Sequence, residues 1–357
     1  MTLELSLSHA TLGRRDVLKF GGLGAAAAIL GSSSVGAQGT PESSTDLVMR
    51  TIPGSDEQIP AVGLGTFMTF DSLPDADTTH MHEVVRGFWE AGGRVFDSSA
   101  LYGMSEVNLG AALASLDIDD EAFIANKVWA TGEYLWDDSH ADHGLVRTLQ
   151  RLDRPIDLIQ IHSLVNVDPL VPLLQAWKAE GRVRYIGVTH HEPGYFTPLA
   201  EWIERDVVDF VQVHYSIHTR LAEERVLRSA EEHGVGVFVN MPLEKGRLHD
   251  IVRSQPLPDF AADLEIESWA QYFLKWVIGN PVVTCALAAT SNPEHVVDNL
   301  GALRGPLPDA DMRARMVQHL ETLPGFADLG TMPWYPGKSY TGLVSAAQAS
   351  VRSRAGL

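Results

Sequence analysis

Eight short runs rich in β-branched and aromatic residues, each followed by a polar or amphipathic stretch, constrain this chain more than any other feature. They are 61–66 (AVGLGT), 94–99 (RVFDSS), 123–128 (FIANKV), 158–163 (LIQIHS), 185–189 (YIGVT), 210–215 (FVQVHY), 235–240 (VGVFVN) and 284–290 (TCALAAT). Between them, segments 78–91, 105–115, 143–152, 170–180, 221–233 and 267–278 carry apolar residues at helical spacing. Strands that alternate with helices predict a parallel sheet, and eight such units predict closure into a (β/α)8 TIM barrel. Enzymes built on that barrel place their chemistry at the C-terminal ends of the strands.

Asp97, Tyr102, Lys127 and His162 stand at or just after three successive strand ends. A tyrosine serves as a general acid near neutral pH only when something stabilises its phenolate. A neighbouring ammonium can do so, a carboxylate can hold that ammonium, and an imidazole can polarise a carbonyl oxygen beside the hydroxyl. The set suits proton delivery to a C=O while hydride reaches its carbon. A buried Asp97–Lys127 pair with two space-filling aromatics is the structural alternative, but buried ion pairs stabilise poorly against apolar replacement.

These motifs resemble the aldo-keto reductases. AGGRVFDSSALYGMSEVNLGAAL (91–113) is similar to that family's second strand with its Asp and Tyr, ANKVW to its Lys strand, and LIQIHS to its His strand. The resemblance spans residues 48–303. It implies that Tyr102 is the general acid and base, that Lys127 lowers its pKa, that Asp97 pairs with Lys127 and that His162 orients a carbonyl substrate. It also implies a nicotinamide cofactor, NADP or NAD. Gly65 and Thr66 in VGLGT, Gln212 in VQVHY, and Thr290, Ser291, Asn292, His295 and Asn299 in the loop and helix start after the eighth strand are the residues it assigns to nucleotide binding. MRTIPGSDEQIPAVG (49–63) resembles the hairpin that closes the bottom of the barrel.

Three positions depart from the family pattern. Thr189 and His190 stand where Ser-Asn often holds the nicotinamide carboxamide. Asn240, followed by Met241 and Leu243, occupies the place of a ring-stacking aromatic after the seventh strand. Ala289 and His295 replace the basic residues that clamp an NADP 2′-phosphate, and Lys245 and Arg247 are the candidates to take over that task. These changes keep two rival readings open: a noncatalytic ligand-binding barrel, and a lyase or hydrolase that needs no nucleotide.

The N-terminus carries a second motif. LGRRDVLKF (12–20) sets paired arginines before the short apolar core GGLGAAAAILG, which ends in small residues at Val35-Gly36-Ala37. This resembles a twin-arginine export signal and predicts 1–37 as a leader, 38–46 as a linker, 47–322 as the barrel and 323–357 as a C-terminal tail. The expected location is periplasmic or otherwise extracytoplasmic, reached through the twin-arginine machinery. That route carries folded proteins, so the nucleotide is expected to be bound before export. The apolar core is too short for a permanent membrane span.

A formal net charge of −19, with the acidic residues dispersed, argues against nucleic acid as a partner. Cys285 is the only cysteine, so no intramolecular disulfide can form. The predicted partner is a small carbonyl or alcohol compound, with Phe67, Met68 and Trp129 as candidate pocket walls and 129–141, 241–265 and the tail as loops that cover them. Phe326, Trp334 and Tyr335 in the tail either shape that pocket or pack outside the barrel. Of the fourteen histidines, His162, His190 and His214 lie on neighbouring strands, but strand residues alternate in facing and no HExxH spacing occurs. No metal is predicted.

Overall fold

The structure, a computed structural model, describes residues 46–118, 121–129 and 139–355. The predicted leader, all but the last residue of the linker and most of the 129–141 excursion lie outside them. Among the described residues no helix is long and apolar enough to cross a membrane.

A hairpin of β1 (Met49–Thr51) and β2 (Gln58–Pro60) precedes eight parallel strands: β3 (Val62–Gly65), β4 (Val95–Asp97), β5 (Phe123–Val128), β6 (Ile156–Ile161), β7 (Val183–His190), β8 (Phe210–His214), β9 (Gly236–Asn240) and β10 (Val283–Ala289). The eight close in chain order, β10 pairing with β3, as the alternating pattern predicts. Helices α1 (Thr79–Glu90), α2 (Ser105–Ser115), α3 (Ser139–Leu152), α4 (Val167–Ala179), α5 (Phe196–Ile203) and α6 (Val226–His233) follow the strands in turn. After β9 come α7 (Arg247–Ile251) and α8 (Trp269–Ile278). After β10 come α9 (Pro293–Gly301), α10 (Ala310–Glu321) and α11 (Leu343–Ala355). Five of these, α5, α7, α9, α10 and α11, have no counterpart among the six predicted helical segments, although a helix start is predicted at α9.

Helix starts follow local chemistry. Ser268, Asn292 and Asp309 cap α8, α9 and α10 by accepting the backbone N–H of Gln271, Glu294 and Met312. Each cap satisfies one of the donors that a helix start leaves unpaired and contributes about 1 kcal/mol.

The side-chain period of two divides every strand between two cores. Outward residues such as Val188, Val211 and Val239 pack under the helices, with Trp177 of α4 and Trp276 of α8 fully buried there. Inward residues Val95, Phe123, Leu158, Phe210, Phe238 and Cys285 fill the lower barrel, where Ile52 and Ile59 of the hairpin segment join them. That plug closes the bottom. A side chain at Gly63 would come within 2.9 Å of Leu287 and 3.1 Å of Val95, so the plug fits only around a glycine there. Two or four residues further along the strands, the inward positions turn polar: Asp97, Lys127, Thr189, Gln212 and Asn240 line a cavity of about 750 Å³.

Candidate active site

Asp97 is the last residue of β4, and its carbonyl accepts the Thr66 N–H at 3.1 Å and the Thr66 hydroxyl at 3.0 Å. The chain then turns so that the Tyr102 N–H reaches the Ser99 carbonyl at 3.0 Å, lifting the phenol over the strand ends just before α2 begins. Lys127 points inward from β5, two positions above Ala125 in the plug. His162 opens a tight turn after β6 in which Ser163, Leu164 and Asn166 all take left-handed backbone angles. Non-glycine residues hold such angles only where the surroundings enforce them.

These four side chains line the same cavity. Lys127 Nζ donates to Asp97 Oδ1 at 2.8 Å, Asp97 Oδ2 at 2.6 Å and the Ser98 carbonyl at 2.9 Å. It lies 5.0 Å from the centre of the Tyr102 ring. Tyr102 meets His162 edge-on at 5.7 Å and Phe67 at 4.8 Å. On the far side of His162, Nδ1 is 3.0 Å from Ser99 Oγ, which also accepts the Leu101 N–H at 3.2 Å. The Ser99 hydroxyl can donate its proton to Nδ1, and that tautomer leaves Nε2–H for the cavity.

Burial sets the electrostatics. It pushes the Lys127 ammonium down while Asp97 pulls it up, and it pushes Asp97 up while Lys127 and Gln212 pull it down. The Tyr102 phenol is raised well above its ordinary value by burial and then by the Asp97 charge. The lowering by Lys127 that the sequence suggests is not among the causes of this shift, since the Asp97 carboxylate bonded to the ammonium offsets its charge. His162 is brought down to about 3 by burial, with Lys127, His191 and His190 adding to it, and is neutral at ordinary pH. Burial likewise raises the Cys285 thiol, leaving it an unreactive packing group.

A supporting layer lies behind Lys127. Glu106 of α2, buried, accepts from Asn126 Nδ2 at 3.2 Å, Thr148 Oγ1 at 2.6 Å and Arg151 Nη1 at 2.9 Å. This clamps β5 between α2 and α3. Neither Glu106 nor Ser99 stood out in the sequence, since their partners come from other elements.

Of the residues predicted to hold a nucleotide, Gly65, Thr66, Thr189, Gln212, Asn240, Met241, Leu243, Thr290, His295 and Asn299 line the cavity. His190, Ser291 and Asn292 do not. Thr189 faces inward, so the next residue must face outward, and His190 instead stacks on Tyr195 with centroids 3.8 Å apart. His191, which the sequence reading passed over, returns to the cavity. Asn292 is spent on its cap, and Ser291 is exposed. Gln212 Oε1 and Asn240 Oδ1 are buried without a hydrogen-bond partner. Buried amide oxygens at a cavity wall fit a ligand that brings N–H donors, as a carboxamide does.

Phe67 lines the cavity, as do Trp334 and Tyr335 from the tail, whereas Phe326 is buried against His218. Met68 and Trp129 lie off the cavity wall. Arg247 is committed elsewhere: it pairs with Glu244 and donates to the Leu329 carbonyl at 3.2 Å. Lys245, Arg253 and Lys338 are the lysine and arginine side chains, besides Lys127, among the lining residues. His214 binds Glu244 at 2.8 Å, so His162, His190 and His214 diverge, and among the described residues no group of three or more His, Cys, Asp or Glu side chains could hold a metal ion.

Comparison with known proteins identifies the family and the fold. The model of the aldo/keto reductase family matches residues 61–320. The chain is 25% identical over 269 residues to a 9,11-endoperoxide prostaglandin H2 reductase of Trypanosoma cruzi, covering 72% of this chain and 86% of that one. It is 27% identical over 279 residues to an aldo-keto reductase of Mycolicibacterium smegmatis, covering 74% and 90%. Among solved structures, an aldo-keto reductase from Klebsiella pneumoniae in complex with NADPH superposes with a TM-score of 0.62 at 24% identity, covering 77% of this chain and 96% of that one.

Proposed function

The chain belongs to the aldo/keto reductase family of NAD(P)-dependent oxidoreductases, and from that premise we propose that it interconverts an aldehyde or ketone and its alcohol, with Tyr102 as general acid and base. The observation that carries this reading is the meeting of Tyr102, Lys127, Asp97 and His162 at one cavity that also presents unsatisfied amide oxygens from Gln212 and Asn240.

A bound nicotinamide nucleotide would supply the hydride. Thr189, Gln212 and Asn240 would hold its carboxamide, and Thr290 and Asn299 with the start of α9 would meet its ribose or phosphate groups. Lys338 and His295 both act on the half-buried His249, so Lys338 could give an adenosine 2′-phosphate the cation that Ala289 and His295 do not. NADP and NAD thus remain alternatives, and Lys338 is the residue that would favour NADP.

In reduction, the neutral His162 points Nε2–H at the carbonyl oxygen and fixes it beside the Tyr102 hydroxyl. Tyr102 holds its proton firmly until negative charge builds on that oxygen, and then passes it over. Lys127 polarises from beneath the ring without surrendering a proton, since Asp97 and the Ser98 carbonyl hold its N–H groups. Replacing Tyr102 by Phe tests the assignment. Steady-state turnover is expected to fall by about 10²- to 10⁴-fold, while the nucleotide dissociation constant stays within about twofold. Retained turnover rejects Tyr102 as the proton donor.

We also propose that Arg14 and Arg15 direct the protein through twin-arginine export to an extracytoplasmic site, already loaded with nucleotide. The order of paired arginines, short apolar core and small residues supports this reading.

A further inference from the structure

Lys245 has a setting that carbonyl reduction alone does not explain. Its Nζ lies 3.1 Å from the centre of the Trp334 ring, 5.7 Å from that of Phe67 and 5.8 Å from that of Tyr335. All four residues line the cavity. Among the described residues no carboxylate comes within ion-pair distance of this ammonium; its side-chain neighbours are aromatic faces. Cation–π attraction offsets part of the lost hydration but gives the N–H donors no oxygen acceptor from the protein.

The fold holds the lysine there deliberately. Met241, Glu244 and Lys245 all adopt left-handed backbone angles, with φ of 55°, 50° and 52°, followed by Gly246 at 87°. Glu244 pins this strained segment by accepting from His214 at 2.8 Å, Ser216 at 2.5 Å and Thr219 at 2.8 Å, and by pairing with Arg247. The tail is tied to the same segment, with the Tyr335 N–H donating to the Lys245 carbonyl at 3.0 Å. Strain of this kind persists where the surroundings over-determine it, and here it delivers one cation to one end of the cavity.

That end is where the tetrad lies. Phe67, which faces the ammonium, also packs edge-on against Tyr102 at 4.8 Å. Tyr335 is close enough to Tyr102 for the Tyr102 phenol to raise its proton affinity, and His191, which feels Lys245, also feeds into His162. Of the nucleotide candidates, Thr290 follows β10 while His295 and Asn299 lie on α9, and all three share none of these ring contacts, whereas Met241 and Leu243 belong to the same segment as Lys245. In a chain of net charge −19, a local cation favours the entry of an anionic substrate.

We propose that Lys245 is the recognition group for an anionic carbonyl substrate, an oxo acid or phosphorylated aldehyde or ketone, whose charged end docks on this ammonium while its C=O sits between Tyr102 and His162. This rests on the reductase reading and narrows it from any carbonyl compound to one with an acidic group one aromatic ring away. Burial, helped by Arg247 and opposed by Glu244, brings Lys245 down to about 7 in the absence of an anion, with His191 and Tyr335 the other titratable groups facing it. An arriving carboxylate would restore the full charge and draw in a proton.

The test compares 4-carboxybenzaldehyde with the neutral 4-methylbenzaldehyde in the wild type, Lys245→Met and Lys245→Arg, together with nucleotide dissociation constants by fluorescence. The wild type is expected to favour the acid by about tenfold or more in kcat/KM, chiefly through KM; Lys245→Met should abolish the preference and Lys245→Arg retain it. Equal use of both aldehydes by the wild type overturns the proposal, as does a preference that survives Lys245→Met. Weakened nucleotide binding in Lys245→Met with both aldehydes equally affected also overturns it, by assigning the ammonium to the nucleotide's phosphates. Wild-type protein that binds nucleotide yet reduces neither aldehyde counts against the reductase reading, and calorimetry then decides the anion site by itself. Benzoate should bind with proton uptake near neutral pH where benzamide does not, and equal affinity for the two rejects it.

Discussion

Tyr102 is held as an acid. Burial and the Asp97 carboxylate both favour its protonated form, and Lys127, the group best placed to oppose them, is already bonded to Asp97 and Ser98. The sign of the pH dependence follows. Reduction uses the phenol, which is protonated across neutral pH, where His162, at about 3, is neutral. Oxidation of an alcohol needs the phenolate, whose small population grows about tenfold per pH unit below the phenol's pKa. With a neutral substrate, reduction is therefore expected to be flat between about pH 6 and 9 while oxidation climbs across the same interval. Initial rates in both directions check this, and an oxidation rate that levels off near pH 7 would mean that the phenol is lowered after all. At this scale the sequence was informative wherever strand alternation decides facing. It brought the tetrad, Gln212 and Asn240 to the cavity, but missed the flip between His190 and His191, because the last inward residue of β7 sets a phase that composition does not reveal. Ser99 and Glu106 act through partners on other elements, and no local pattern announces them.

Single elements were legible in proportion to their length and regularity. The eight strands and α2 match their sequence signals closely, whereas α5 is eight residues long, carries Pro198 near its start and follows a Pro-Gly turn, which together look like a loop. Helix α11 was missed for another reason. Its N-terminal Val344 N–H is accepted by Asp71 at 2.7 Å, a carboxylate 273 residues away that also holds the Met104 N–H at 2.9 Å. The segment between β9 and α7 is the element whose stability is most exposed to a single change. Burial works against the Glu244 carboxylate, but His214, Ser216 and Thr219 outweigh it and bring the group down to about 2 from an ordinary value of 4.5. A carboxyl depressed in this way stabilises the fold above its unfolded value and loses that contribution as pH falls toward the folded one. The shift corresponds to about 3 kcal/mol, in line with the effect of removing one partner from a buried pair. Glu244→Gln is thus expected to lower unfolding stability by roughly 3 kcal/mol at pH 7. In urea titrations the gap from wild type should narrow progressively below about pH 4.5. A gap that is independent of pH would show that the loss comes from packing and not from the charge.

The proposed export would pose a supply problem that neither the barrel nor the tetrad raises alone. Nicotinamide nucleotides are made and recycled in the cytoplasm, whereas Arg14 and Arg15 head a segment that reads as an export signal. A ligand that binds only the folded state stabilises it in proportion to the logarithm of its free concentration, so a protein delivered empty to a nucleotide-poor compartment forfeits that stabilisation as well as its hydride source. Folding around the nucleotide before export removes both difficulties. The tail is suited to retaining it, since Tyr335 and Arg247 tie residues 329–335 to the loop after β9 across the cavity wall. A nucleotide that never leaves must be turned over in place: one alcohol gives up hydride and proton and departs as a carbonyl, and a second carbonyl takes them up and departs as an alcohol. The kinetics would then be ping-pong, with parallel double-reciprocal plots for the two substrates. The decisive sample is exported mature protein purified without added nucleotide, then denatured and assayed by mass for what it releases. About one equivalent of NADP or NAD per chain is expected, and replacing both Arg14 and Arg15 by Lys should leave the same loaded protein inside the cell. Exported protein that is folded, active only with added nucleotide and empty on denaturation would reject preloading while leaving the chemistry at Tyr102 intact.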